Sequence, residues 1–172
     1  YNSHHFISEL IVAKQQFPHK IFVHRIDGPI RLYNSMKDKR DFVINNANKF
    51  IADGTIFQSN WSKCRNLEMG IERNRYETTI LNAPNQFFFN CDGKDQFNRN
   101  RKIKLIATSW SKNLKKGFNV YKWLDKNLDF DKYEMTFVGN SPIVFKNIIY
   151  KKPMKGQYLS NELKRNDIFI TA

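Results

Sequence analysis

Residues 104–118, KLIATSWSKNLKKGF, decide the fold. Ile103 to Thr108 is a mostly apolar run carrying the β-branched Ile103, Ile106 and Thr108, and reads as a strand. Ser109 to Lys116 is polar. From Gly117 to Leu128 the residues Val120, Leu124 and Leu128 recur at a helical spacing. A strand that runs through a polar loop into a helix is half of a βαβ unit. Downstream the pattern continues, with strands at 135–138, 148–150 and 168–170 and a helix over 157–165.

Upstream the same alternation holds. Residues 20–26, KIFVHRI, read as a buried strand stopped by the turn Asp27-Gly28-Pro29. Met36, Val43, Ala47 and Phe50, at offsets of 7, 4 and 3, predict a helix over 34–51. Thr55 to Phe57 reads as a strand, and Ser59 or Asn60 caps a helix that runs to Met69 and stops at Gly70. Thr78 to Leu81 is a further strand. Residues 86–101, QFFFNCDGKDQFNRNR, read as a linker held down by its phenylalanines, between domains at 1–85 and 102–172. Such alternation predicts an α/β fold, with parallel sheets flanked by helices. Ligands of such sheets sit at the carboxyl ends of the strands. Chemistry is therefore sought at His24 to Asp27, Ser59, Asn82, Ser109 to Lys116 and Gly139 to Ser141.

Composition sets the bounds. A chain 41% hydrophobic and 15% aromatic has material for a packed core, which excludes wholesale disorder. The net charge of +13 is uneven: 14 Lys/Arg against 10 Asp/Glu in residues 1–100, and 15 against 6 in residues 101–172. A basic surface attracts nucleotide diphosphates, nucleic acid or an anionic membrane face, and a Lys-rich solvated surface gives the same totals. Cys64 and Cys91 lack metal-ligand spacing and need not pair, so a reducing, cytoplasmic compartment is the expectation. No apolar run approaches the ~20 residues of a membrane span, and the basic surface makes peripheral membrane association an expectation. Trp61, Trp110 and Trp123 are expected in the core or in helix packing rather than as sugar-stacking platforms.

Taken in order, ADGTIFQSNWSK (52–63), TTILNAPN (78–85), KLIATSWSKNLKKGF (104–118), FVGNSP (137–142) and NELKRNDIFITA (161–172) resemble the middle of a retaining nucleotide-sugar glycosyltransferase of family 4. The resemblance spans roughly Val23 to Ala172 and is distributed over several weak segments. It implies the GT-B fold: residues 1–85 would be part of an acceptor-side Rossmann-like domain and 102–172 the first part of a donor-nucleotide domain. It further implies transfer of a sugar from a nucleotide-diphosphate donor to a glycan, lipid-linked or protein acceptor, with no cofactor and no metal. The family's Gly-rich loop lies upstream of these residues, and its two donor-site glutamates follow the strand at 168–170. Neither is represented here, so the resemblance implies a chain truncated at both ends, a subunit completed by another chain, or a reduced relative.

The resemblance also assigns residues. The family carries an Arg and then a Lys before Gly in the loop after its second domain's first strand, and both hold the donor diphosphate. Lys116 takes the Lys position; Ser111 stands where Arg is usual, with Lys112 beside it as a substitute. Gly139 and Asn140 match a turn near the donor nucleotide, and residues 152–155 match a loop whose backbone meets the base. His24 and Arg25 fall where the family faces the donor sugar. From the residues alone two readings stay open: His24 at the reacting centre or as a satisfied core histidine, and Arg25 on phosphate or paired with Asp27. The rival functions are a non-catalytic binding or assembly subunit and a nucleic-acid-binding domain. The scattered basic residues form no recognisable nucleic-acid motif, so the last is not expected.

Overall fold

The strand–helix alternation is present in both halves of the chain, and a computed structural model describes all 172 residues. The chain divides into two compact units, Tyr1–Ala83 and Pro84–Ala172. Each holds a wholly parallel sheet flanked by helices, an arrangement compatible with Rossmann-like folds.

The first unit runs α1 (Ile7–Gln16), β1 (Val23–Ile26), α2 (Ile30–Tyr33), α3 (Arg40–Phe50), β2 (Gly54–Phe57), α4 (Asn60–Glu68) and β3 (Glu77–Thr79), with sheet order β1-β2-β3. Segment Tyr1–Ser3 lies alongside β1, tied by Ser3 N–H to Arg25 O and Arg25 N–H to Tyr1 O, both 2.8 Å. Ile26, Ile30, Ile44, Phe57 and Ile71 form the core. The turn at 27–29 ends β1 as expected, and α4 begins where Ser59 Oγ accepts from Ser62 N–H at 3.0 Å. Gly70, at φ +90°, closes that helix in the left-handed conformation.

One expectation fails here: residues 34–39 lie outside the long helix. Of the residues that predicted it, Ala47 is buried together with Ile44 and Asn48, whereas Met36 and Phe50 are exposed. The outward residues Phe42, Val43 and Phe50 instead meet Ile7 and Ile11 of α1 around an apolar groove of ≈ 220 Å³. The helical spacing holds over α3, and Val43, Ala47 and Phe50 line this groove. Helix α1 was not foreseen, because it buries none of its residues and so shows no core-facing stripe.

The second unit runs β4 (Ile103–Ser109), α5 (Phe118–Asn127), β5 (Tyr133–Gly139), β6 (Ile149–Lys151), α6 (Gly156–Lys164) and β7 (Ile168–Phe169), with sheet order β6-β5-β4-β7. The strands thus lie side by side as third, second, first and fourth in chain order. This order is compatible with a doubly wound, Rossmann-like sheet, whose direction switches beside its first strand. Leu105, Ala107, Phe118, Tyr121, Met135, Phe137 and Ile148 form the core, with Phe137 ringed by Tyr121, Phe118 and Phe145 at centroid distances of 5.2–5.7 Å. Helix α5 turns Phe118, Tyr121 and Asp125 inward and Val120 outward, so the expected stripe is one residue out at its start.

No helix joins β5 to β6. The connection is held by the buried Asp125, whose carboxylate accepts from the N–H groups of Lys146, Asn147 and Ile148 at 2.8–2.9 Å. Burial pushes that carboxyl up, but the three backbone donors outweigh it and hold it below the ordinary carboxylate range. Strand β7 is fixed by Asp167, which accepts from both Arg101 Nη atoms and from Lys104 N–H at 2.7–2.8 Å. Residues 86–101, expected as a linker, belong to the second unit and dock on α6. Ser160 Oγ donates to Phe88 O, and Lys164 Nζ donates to Asn90 Oδ1 at 2.8 Å.

Candidate functional site

In the second unit the sequence-predicted residues gather at the carboxyl edge of β4 and β5, where the strand order switches. Leaving β4, the chain makes two tight polar turns. Ser109 Oγ donates to Ser111 O at 2.9 Å, and Ser111 Oγ accepts from Asn113 N–H at 3.1 Å. Ser111 therefore shapes the loop and brings no charge to the place where the resemblance puts an Arg. Lys112, Lys115 and Lys116 are exposed along this loop, and residues 105–124 contain no Asp or Glu. Gly117 then takes φ +77°, and α5 starts without a side-chain cap on its first-turn amides. An uncapped helix start after a run of lysines is electropositive through both the helix dipole and the ammonium groups. The backbone of Ala172, after β7, lies 2.7 Å from where a Cβ on Gly117 would sit, so only glycine fits at this crossing.

Gly139 and Asn140 build this edge. Gly139 ends β5 at φ +138°, and a Cβ there would lie 1.9 Å from Ser109 O. The close approach lets Asn140 N–H donate to Ser109 O at 2.8 Å while Asn140 Nδ2 donates to Trp110 O at 2.7 Å. Tyr150 Oη donates to Gly139 O at 2.9 Å and secures the turn from β6. Both residues, expected to contact nucleotide, hold the Trp110 loop in place.

The tryptophans meet the expectation only in part. Trp61, Trp110 and Trp123 are 52%, 65% and 62% exposed, so none belongs to a core. Trp61 lies over Gly28, where a Cβ would sit 2.7 Å from the ring. Trp110 stands in the loop after β4, with Lys155 Nζ 4.9 Å from its ring centroid. Neither Trp110 nor the Lys155 side chain was singled out for a ligand. A bulky aromatic between two serines, in a polar strand-end loop, was the signal.

His24 and Arg25 belong to the first unit and are committed to its structure. His24 is 0% exposed. Its Nε2 lies 2.8 Å from Ser3 O and its ring stacks on Tyr1 at 4.2 Å, while Nδ1 finds no hydrogen bond of good geometry beside Asn48. Burial lowers its pKa to about 4 against the partial opposition of the Ser3 and Asn48 contacts, so the ring is neutral at ordinary pH. Of the two readings left open by the residues, the geometry matches a core histidine, with Nε2 paired and Nδ1 without a hydrogen bond. Arg25 is tied by Nη1 to Asn2 and Asp27 at 3.0 and 2.8 Å, and by Nη2 to Gln58 and Asn82 at 3.3 and 2.6 Å. Its guanidinium knots the ends of the strands together.

No group of three or more His, Cys, Asp or Glu side chains comes together as a metal cradle. The one Asp-x-Asp of the chain, Asp129-Phe130-Asp131, lies at the amino end of β5, opposite the lysine loop. There Asp129 pairs with Lys132 at 2.8 Å and accepts from Asp131 N–H at 3.1 Å. No helix is long and apolar enough to cross a membrane. No protein-family model matches the chain, and no curated protein matches it.

Proposed function

We propose that this chain carries the donor-nucleotide region of a retaining glycosyltransferase of GT-B type, which moves a sugar from a nucleotide diphosphate to a glycan, lipid-linked or protein acceptor. The observation that carries the reading is the loop Ser109–Gly117. It leaves the first strand of a doubly wound sheet at its switch point and delivers Lys112, Lys115 and Lys116 ahead of an uncapped helix start. Breaking the bond between sugar and diphosphate builds negative charge on the leaving phosphate oxygen. Fixed cations and helix amides aimed at that oxygen favour the transition state over the bound donor. Lys116 is assigned to the leaving diphosphate with Lys112 as second cation, while Ser111 sets the loop. This chemistry is assigned to side chains of the protein without a metal. His24 and Arg25, committed to the first unit's structure, are not given a catalytic role.

A second reading is a non-catalytic binding or assembly subunit with the same fold. It is favoured by the neutral Ser111 at the expected Arg position and by the enclosure of His24.

Calorimetric titration of the wild type and Lys116→Ala with UDP and GDP at moderate salt tests the site. The expected result is one-to-one binding that weakens roughly ten- to a hundredfold in the variant. Equal binding by both proteins removes Lys116 from the site, and absence of binding by the wild type sinks the donor reading. Binding without turnover of any nucleotide sugar selects the second reading.

A further inference from the structure

Trp110 is the least explained residue of the lysine loop. It leaves 65% of its surface open where burial would be favourable, yet it is held rather than loose. Asn140 grips its carbonyl, Gly139 packs against the preceding Ser109, and the Lys155 ammonium lies over its ring. In a doubly wound sheet the diphosphate takes the first helix's N-terminus, and the nucleoside lies over the following strands on the same side of the switch point. Here those are the ends of β5 and β6, and the residues that meet Trp110 come from them: Asn140 follows β5, and Lys155 precedes α6 after β6.

Resting on the donor reading above, we propose that the open face of the Trp110 indole, with Lys155 over the ring, is the stacking platform for the donor's nucleobase. A flat, polarisable face suits a base better than a sugar ring, because every base has a π-face. Stacking of this kind tolerates changes of base, and its strength grows with ring area. A cation over the indole draws on its quadrupole and fixes the ring's orientation. The platform therefore accepts both pyrimidine and purine diphosphates, and the purine gains more from it.

The test compares Trp110→Leu and Trp110→Phe with wild type and Lys116→Ala, using UDP, GDP and inorganic pyrophosphate as calorimetric probes. A Trp61→Phe/Trp123→Phe background makes Trp110 the sole indole for fluorescence. Trp110→Leu should weaken UDP roughly fivefold or more and GDP by a larger factor, leave pyrophosphate unchanged, and unfold at the wild-type temperature. Trp110→Phe should recover most of the loss, and UDP but not pyrophosphate should quench the single indole. Unchanged UDP affinity in Trp110→Leu, with loss in Lys116→Ala, overturns the platform and leaves the donor reading standing. Equal weakening of UDP and pyrophosphate in Trp110→Leu overturns it as well, since a damaged loop would do that. Wild type that binds no UDP overturns both.

Discussion

Replacing Gly139 by alanine should loosen the β4–β5 edge without touching the rest of the chain. At φ +138° the position is open in practice only to glycine, and an L-residue held there costs about 1–3 kcal/mol. The added methyl would also sit 1.9 Å from Ser109 O, so Ser109 or Gly139 must move. Moving either weakens the Asn140 N–H to Ser109 O bond, another 0.5–1.5 kcal/mol or so. The combined loss is about 2–4 kcal/mol, a large share of a domain's stability. Hydrogen exchange read by mass spectrometry on peptides from β4 and β5 is the suitable assay, because it reports local opening within a chain of two units. Exchange in those peptides should accelerate roughly thirtyfold or more, with peptides from β1 and β2 unchanged. Wild-type exchange at β4 and β5 would refute the packing argument. Acceleration spread equally over both units would refute its locality.

Two further predictions concern titration. The His24 ring should stay neutral until about pH 4 in an NMR titration. Its folded pKa lies below its unfolded one, so its share of stability is full above the ordinary histidine range and drains away as pH falls towards 4, by up to about 3 kcal/mol; a midpoint near 6.5 for His24 would contradict its enclosure. Asp125, held below the ordinary carboxylate range, contributes stability above that range and loses it as pH falls through its lowered value. Asp125→Ala should cost about 2–4 kcal/mol at neutral pH and flatten the acid limb of the second unit's unfolding, and an unaltered acid limb would count against the carboxylate clasp.

The sequence was most legible where local pattern and burial agree. From Ile103 onward each strand and helix appears within about two residues of its expected place, because apolar runs and turn residues mark those elements clearly. The capped start of α4 at Ser59 and its stop at Gly70 were readable for the same reason: both are satisfied within a few residues of sequence. What failed depended on contacts between distant segments. The inward face of α3 is set by what it packs on, and apolar residues on either face give the same helical period. The enclosure of His24 is made by Tyr1–Ser3, more than twenty residues away, and no local pattern announces it. The exposure of the tryptophans ran against their average behaviour as buried residues. At Trp110 that exception points to the site.

The carboxyl edges of the two sheets answer the question of ligand binding differently. In the first unit the polar groups there satisfy one another: Arg25 is shared among Asn2, Asp27, Gln58 and Asn82, and Asn82 Nδ2 donates back to Gln58 at 3.1 Å. A ligand would have to break those bonds before making its own, and each broken bond subtracts from its affinity. In the second unit the hydrogen bonds of Ser109, Ser111 and Asn140 shape the loop, while Lys112, Lys115 and the Trp110 ring are exposed at its surface. On the donor reading, such an edge would meet a diphosphate and a base with its loop already shaped. The donor chemistry proposed here therefore rests on the second unit alone, and a mutation in the Arg25 knot should change stability before it changes nucleotide affinity.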